Sequence, residues 1–118
     1  SLLKNKKGEE EKLNKEEYSY FGYEESQGKD IYYRNACNAC HSVDGSLKIG
    51  GTMKNLYGKE IVHTDGSVAI VDEKYIRESL LEPNKHIREG YTPIMPSYKA
   101  VFSDTDINNL IAYIKYLK

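Results

Sequence analysis

Cys37 and Cys40 stand three residues apart and His41 follows directly, in the run Cys37-Asn38-Ala39-Cys40-His41. Residues three apart on a helix share one face on neighbouring turns. Two thiols so placed reach the two vinyl groups along one side of a porphyrin, with the His41 imidazole under the ring toward the metal. The run therefore reads as a covalent attachment site for one haem c, with His41 an axial ligand of the iron. Other uses of the same residues meet obstacles. A thioredoxin-like Cys-x-x-Cys belongs in a βαβ setting, which the surrounding pattern lacks. A zinc site needs two further ligands, and His63 and His86 fit no finger spacing. A disulfide between residues three apart on a helix is poorly placed.

The second axial ligand comes from a short list, because the chain has only two methionines. Met95 lies in Tyr91-Thr92-Pro93-Ile94-Met95-Pro96-Ser97-Tyr98, where prolines on both sides restrict the backbone. A thioether binds ferric iron weakly and has to be held in place, so this stiff run suits it. Met53, between Gly51 and Leu56, is spaced like a core residue facing the ring, the usual gap-filling role of methionine. His63 beside a turn and His86 in a polar stretch read as solvated surface histidines. The other ring nitrogen of His41 needs an acceptor, and a carbonyl of Ile49-Gly50-Gly51 is the natural one. Donors for the haem propionates are sought among Tyr57, Arg77 and Tyr98.

At 118 residues the chain suits one domain with an unfavourable surface-to-core ratio. Hydrophobic residues make up 39% and charged residues 30%, so a large apolar ligand would help such a polar chain to fold. The formal charge of −1 argues against nucleic acid or an anionic membrane surface as partner. No stretch reaches the roughly 20 apolar residues of a membrane span, and no signal peptide is visible. Haem c is attached outside the cytoplasmic membrane. The expectation is thus an exported protein, periplasmic or held at the outer face of that membrane.

Residues 1–25 read as a charged linker or tether, which would connect the domain to a membrane. From Lys4 to Glu17 the only sizeable apolar residue is Leu13. Tyr18, Tyr20, Phe21 and Tyr23 then form either an aromatic strap that packs on the domain or a partner, or a hinge. Residues 26–118 form the haem domain. Ser26 is expected to cap a first helix from Gly28 to Asn38, with Ile31, Tyr32 and Asn35 at helical spacing. Ser103 or Asp104 caps a C-terminal helix whose apolar stripe is Ile107, Leu110, Ile111, Ile114 and Leu117. Gly28 would let these helices cross closely, near Leu110 and Tyr113. Between them, branched residues on both sides of Asp65-Gly66 predict a short hairpin. Asp72 then caps a helix of about ten residues that ends before Pro83 and buries Ile76, Leu80 and Leu81.

These pieces, in this order, resemble class I cytochromes c. From Leu56 to Lys118 the chain is further similar to the cytochrome c domain fused to subunit II of caa3-type haem–copper oxidases. The similarity is carried by Asp65-Gly66, Asp72-Glu73-x-Tyr75-Ile76-Arg77-Glu78-Ser79, Tyr91-x-Pro93-Ile94-Met95-Pro96-Ser97-Tyr98 and Leu110-Ile111-x-Tyr113-Ile114. The resemblance implies a mainly α fold of three to five helices around one covalent haem, with a short β-hairpin in the middle loop. It also implies His41/Met95 ligation and one-electron transfer without catalysis. The implied donor is a quinol-oxidising complex and the implied acceptor a terminal oxidase. Lys48, Lys54, Lys59 and Lys99 read either as charges that ring the haem edge and steer an acidic partner or as scattered solubilising lysines. Two departures stand out. The family's Gly-Pro after the haem motif is here Gly50-Gly51, which keeps the carbonyl and loses the ring. Nothing resembles a copper-binding domain, so an excised oxidase domain and a free or tethered relative are both expected forms. The rival reading is a small haem peroxidase or gas-binding haem protein with a labile sixth ligand. A second rival is an interaction module with a structural haem.

Overall fold

The computed structural model describes residues 22–118. The charged run and the strap residues Tyr18, Tyr20 and Phe21 lie outside the described residues. Among the described residues, four helices and one two-stranded sheet follow in the order α1 (Tyr23–Arg34), α2 (Cys37–Cys40), β1 (Glu60–Val62), β2 (Val68–Ile70), α3 (Glu73–Leu81) and α4 (Asp104–Tyr116).

The start of α1 differs from the expectation. The helix begins at Tyr23 rather than Gly28, and its cap is Gly22 rather than Ser26. Glu25 supplies the reason: its carboxylate accepts the Gly22 amide at 2.7 Å, and Glu24 beside it adds a second negative charge to the positive end of the helix. Tyr23, part of the supposed strap, is the first helical residue and is exposed. The far end also differs, since α1 stops at Arg34 instead of running into the cysteine motif. Asn35 folds its side chain back onto the Ile31 carbonyl at 2.8 Å, and Ala36 takes a left-handed conformation with φ 58°. The cysteines therefore ride on a helical turn of their own, closed by His41 N–H donating to the Cys37 carbonyl at 2.8 Å.

The predicted crossing of the first and last helices is present. A Cβ placed on Gly28 would lie 2.0 Å from the Asn109 carbonyl oxygen and 2.8 Å from Tyr113 Cβ, so only glycine permits this approach. The Tyr32 and Tyr113 rings meet at 5.6 Å across the same interface. Helix α4 is capped by Ser103, whose hydroxyl accepts the Asp106 amide at 3.1 Å while Asp106 returns the bond to Ser103 N–H. It buries Ile107, Leu110, Ile111, Tyr113 and Ile114. Each such aliphatic side chain contributes about 1.5–3 kcal/mol to folding. Asp72 caps α3 through the Tyr75 amide at 2.7 Å, and Ile76 and Leu80 are its buried side.

In the hairpin, Ile61 and Ala69 pair on the inner face while Val62, Val68 and Ile70 point outward. Gly66 makes the turn at φ 86°. The segment after α3 lies along the free side of β1. Thr64 N–H donates to the Ile87 carbonyl at 2.7 Å, and Glu89 N–H to the Val62 carbonyl at 2.8 Å. This places residues far apart in sequence on one side of the core, and a cavity opens there.

Candidate functional site

The cavity, of about 260 Å³, has Cys37, Cys40 and His41 on its wall together with both methionines, Met53 and Met95. Cys37 is half-buried, Cys40 exposed, and neither is in a disulfide. Burial pushes the Cys37 thiol up from its usual range. That is the reverse of a redox-active Cys-x-x-Cys, where the attacking thiol is pulled down.

His41 is fixed from several directions. Its Nδ1 lies 2.7 Å from the Gly51 carbonyl oxygen. A carbonyl only accepts, so Nδ1 carries the hydrogen and Nε2 is the nitrogen left free for a metal. Burial holds the imidazole below its ordinary range, partly offset by the Gly51 carbonyl, and the neutral ring is the form that ligates. Gly50 is required beside it: a Cβ there would sit 2.5 Å from His41 Cε1 and 2.9 Å from the Cys40 carbonyl. Tyr32 reaches over from α1 and donates its hydroxyl to the His41 carbonyl at 2.5 Å. Burial, with Cys37 nearby, raises the Tyr32 hydroxyl far above its usual range, which keeps it a donor.

The loop that delivers Gly50 and Gly51 is closed by residues the sequence reading passed over. Ser42, nearly fully buried, donates its hydroxyl to the Ser46 carbonyl at 2.7 Å and shares a 2.7 Å hydrogen bond with Thr52 Oγ1. The Met53 amide donates to the Ser42 carbonyl at 2.7 Å. Met53 is buried at the junction of cavity and core.

Met95 is half-buried on the cavity wall, in a run without helix or strand. The last carbonyls of α3 have no partner within the helix. Here Tyr98 N–H bonds the Leu80 carbonyl at 2.9 Å and Ser97 Oγ the Leu81 carbonyl at 2.6 Å. The Met95 segment is thus pinned to the end of α3. Tyr98 lines the cavity and stacks on Phe102 at 4.7 Å, and burial raises its hydroxyl from the usual range.

The other two candidate propionate donors lie elsewhere. Tyr57 is off the cavity wall, with Lys115 Nζ 5.1 Å from its ring centre. Arg77 points from α3 to α4, where it hydrogen-bonds Asn108 and lies 3.6 Å from Asp104. It flanks the Ile76–Leu80 face of α3 on the side away from Tyr75 and Ser79, which line the cavity, and so points toward α4 instead. Arg88 and Tyr91, which the sequence did not single out as donors, are among the polar residues on the wall, and their guanidinium and ring stack at 4.8 Å next to Gly51. His63 is a second correction. It is 3% exposed, because the hairpin folds it inward between α3 and the 86–90 segment. His86 is exposed as expected and stacks on His63 at 5.0 Å.

Two thiols at one edge, an imidazole with Nε2 free, a thioether and an apolar wall including Leu56, Val71 and Leu80 fit a covalently attached haem. Comparison with known proteins agrees. The family model described as Cytochrome c matches residues 25–118, and the chain belongs to the cytochrome c family. It is a haem electron carrier that holds haem c covalently, with Cys37 and Cys40 in the attachment spacing. Among curated proteins it is 29% identical over 93 residues to cytochrome c oxidase subunit 2 of Alkalihalophilus pseudofirmus. That match covers 79% of this chain and 25% of the relative, so the chain spans about a quarter of the protein it matches.

Proposed function

We propose that this domain carries single electrons in a respiratory chain, from a quinol-oxidising complex toward a terminal haem–copper oxidase. The observation that carries the reading is the shared cavity of His41, held by Gly51, and Met95, held by the end of α3. The likeness to an oxidase subunit supports the direction of flow.

Haem c supplies the one-electron Fe(II)/Fe(III) couple when it is bound. Cys37 and Cys40 anchor it through thioethers. His41 Nε2 and the Met95 sulfur would ligate its iron, a pairing that favours the reduced state. The apolar wall excludes water, which also disfavours the more highly charged oxidised form. Ile49 and Ile94 lie on the wall yet are 55% and 54% exposed, so they rim the opening where a partner docks. Lys48, bonded to the Asn38 carbonyl on α2, stands beside that rim and steers an acidic partner. The charged residues ahead of α1 serve as a tether, and the domain works at the outer face of the cytoplasmic membrane, where haem is attached to such motifs.

A peroxidase or gas sensor needs a labile sixth position, and the pinned Met95 segment opposes that. The test combines two measurements on the ferrous protein. Carbon monoxide is expected to bind slowly or not at all, and a haem–copper oxidase is expected to reoxidise the protein at a salt-dependent rate. Rapid carbon monoxide binding, or no electron exchange with any such oxidase, would contradict the reading.

A further inference from the structure

The hairpin turn holds a buried histidine that electron carriage leaves unused. Ser67 Oγ donates its hydrogen to Asp65 Oδ1 at 2.6 Å, so it can only accept from His63 Nδ1, 2.9 Å away. Nδ1 therefore bears the ring hydrogen. Nε2 is then the acceptor, and it takes the Tyr75 hydroxyl at 2.7 Å. An unbroken hydrogen-bonded chain runs from the exposed Asp65 carboxylate through Ser67 and His63 to Tyr75, on the wall of the haem cavity.

This chain has a second arrangement. A proton added at Nε2 needs only the Tyr75 hydroxyl to rotate, so that its oxygen accepts and its hydrogen turns away. Burial raises the Tyr75 hydroxyl, opposed by Arg88 and aided by Glu78, so Tyr75 responds by rotating rather than ionising. The surrounding charges are mixed. Asp65 on the turn and Glu78 on α3 favour a positive His63. Lys85, bonded to Glu78 at 3.1 Å, and Arg88, bridged to His63 along the backbone, oppose it. His86, itself on the cavity wall, stacks on His63 and lies 3.7 Å from Glu78.

We propose that His63, in contact with Tyr75 and His86, takes up a proton when the haem iron is reduced, so that this carrier's reduction potential depends on pH. The balance is simple. One electron passes from the reduced donor protein to the ferric centre, one proton passes from solvent to His63 Nε2, and no other bond forms or breaks. Reduction lowers the positive charge in the cavity by one, so the ferrous protein holds the added proton more tightly. By reciprocity the protonated protein holds the electron more tightly, and the potential falls as pH rises. The inference rests on the electron-carrier reading.

The test is a spectroelectrochemical titration of the holoprotein over roughly pH 5–8, where histidines titrate. It is paired with NMR of ¹⁵N-labelled histidine rings in both redox states. A three- to tenfold difference in proton affinity is expected, corresponding to roughly 30–60 mV across the range. His63→Gln is expected to abolish that fall while keeping a reversible couple, and Tyr75→Phe to change its size. The His63 ring nitrogens should titrate at higher pH in the ferrous protein. A flat potential in the wild type overturns the proposal. So does an unchanged fall in His63→Gln, or a fall that vanishes only in His86→Gln. If His63→Gln does not fold, the wild-type ring titration decides alone, and its independence of redox state is also contradictory. A protein with no reversible one-electron couple would instead remove the carrier reading itself.

Discussion

The two residues proposed to ligate the iron are held in the cavity wall by different kinds of restraint. His41 is fixed largely by nearby chain: the cysteine turn, a loop closed by Ser42 and Thr52, and Gly50 packed too tightly for any side chain. Met95 is fixed by distant chain. Its segment forms no regular structure and is tied at Ile87 and Glu89 to the hairpin region and at Ser97 and Tyr98 to the end of α3. The difference matches the two proposed ligands. An imidazole that donates to a carbonyl is a strong ligand already oriented, whereas a thioether keeps its place only if the scaffold behind it does.

Steric and hydrogen-bond restraints should therefore break in different ways. The largest effect is expected at Gly28, whose new Cβ in Gly28→Ala would meet the Asn109 carbonyl at 2.0 Å. Thermal unfolding of the ferric protein should show a loss of about 3 kcal/mol. Stability within 0.5 kcal/mol of wild type, roughly, would show that α1 shifts without cost. Gly50→Ala acts on the His41 ring and Cys40 carbonyl directly, and should cost about 2 kcal/mol and alter the haem spectrum as well. On the other side, Ser97→Ala removes the bond to the Leu81 carbonyl and the longer one accepted from the Lys99 amide at 3.2 Å, together about 1 kcal/mol. It should speed carbon monoxide binding to the ferrous protein while leaving the His41 side unchanged. An equal perturbation of both sides would erase the distinction. The smallest effect is a gain. Ala36→Gly relieves the left-handed strain before Cys37 and should stabilise by roughly 0.5 kcal/mol, less than the strain itself because glycine loosens the unfolded chain.

The same contrast explains what could be read from the sequence. The cysteine motif, the caps Asp72 and Ser103, the hairpin at Asp65-Gly66 and the Gly28 crossing are marked by residues whose local chemistry leaves few choices. The Gly51 carbonyl was also within reach, since only that loop follows His41 closely. Helix α1 differs from the expectation at both ends because Ser26 is the more familiar kind of cap, while Glu25 reaching back to Gly22 and Ala36 in a left-handed conformation carry weaker signals. His63 was misread because a histidine beside a turn is usually solvated. Its burial depends on residues 86–90 pairing with β1, a contact no local pattern announces. The same pairing brings Arg88 and Tyr91 to the cavity, and the flank of α3 that faces α4 takes Arg77 away.

The most direct test of the central claim is the visible spectrum of the ferric protein in wild type, Met95→Ala and Met53→Leu. The sulfur–iron band toward the red end should be present in the wild type and in Met53→Leu, and absent in Met95→Ala. Its survival without the Met95 thioether would contradict the assignment of the iron to His41 and Met95.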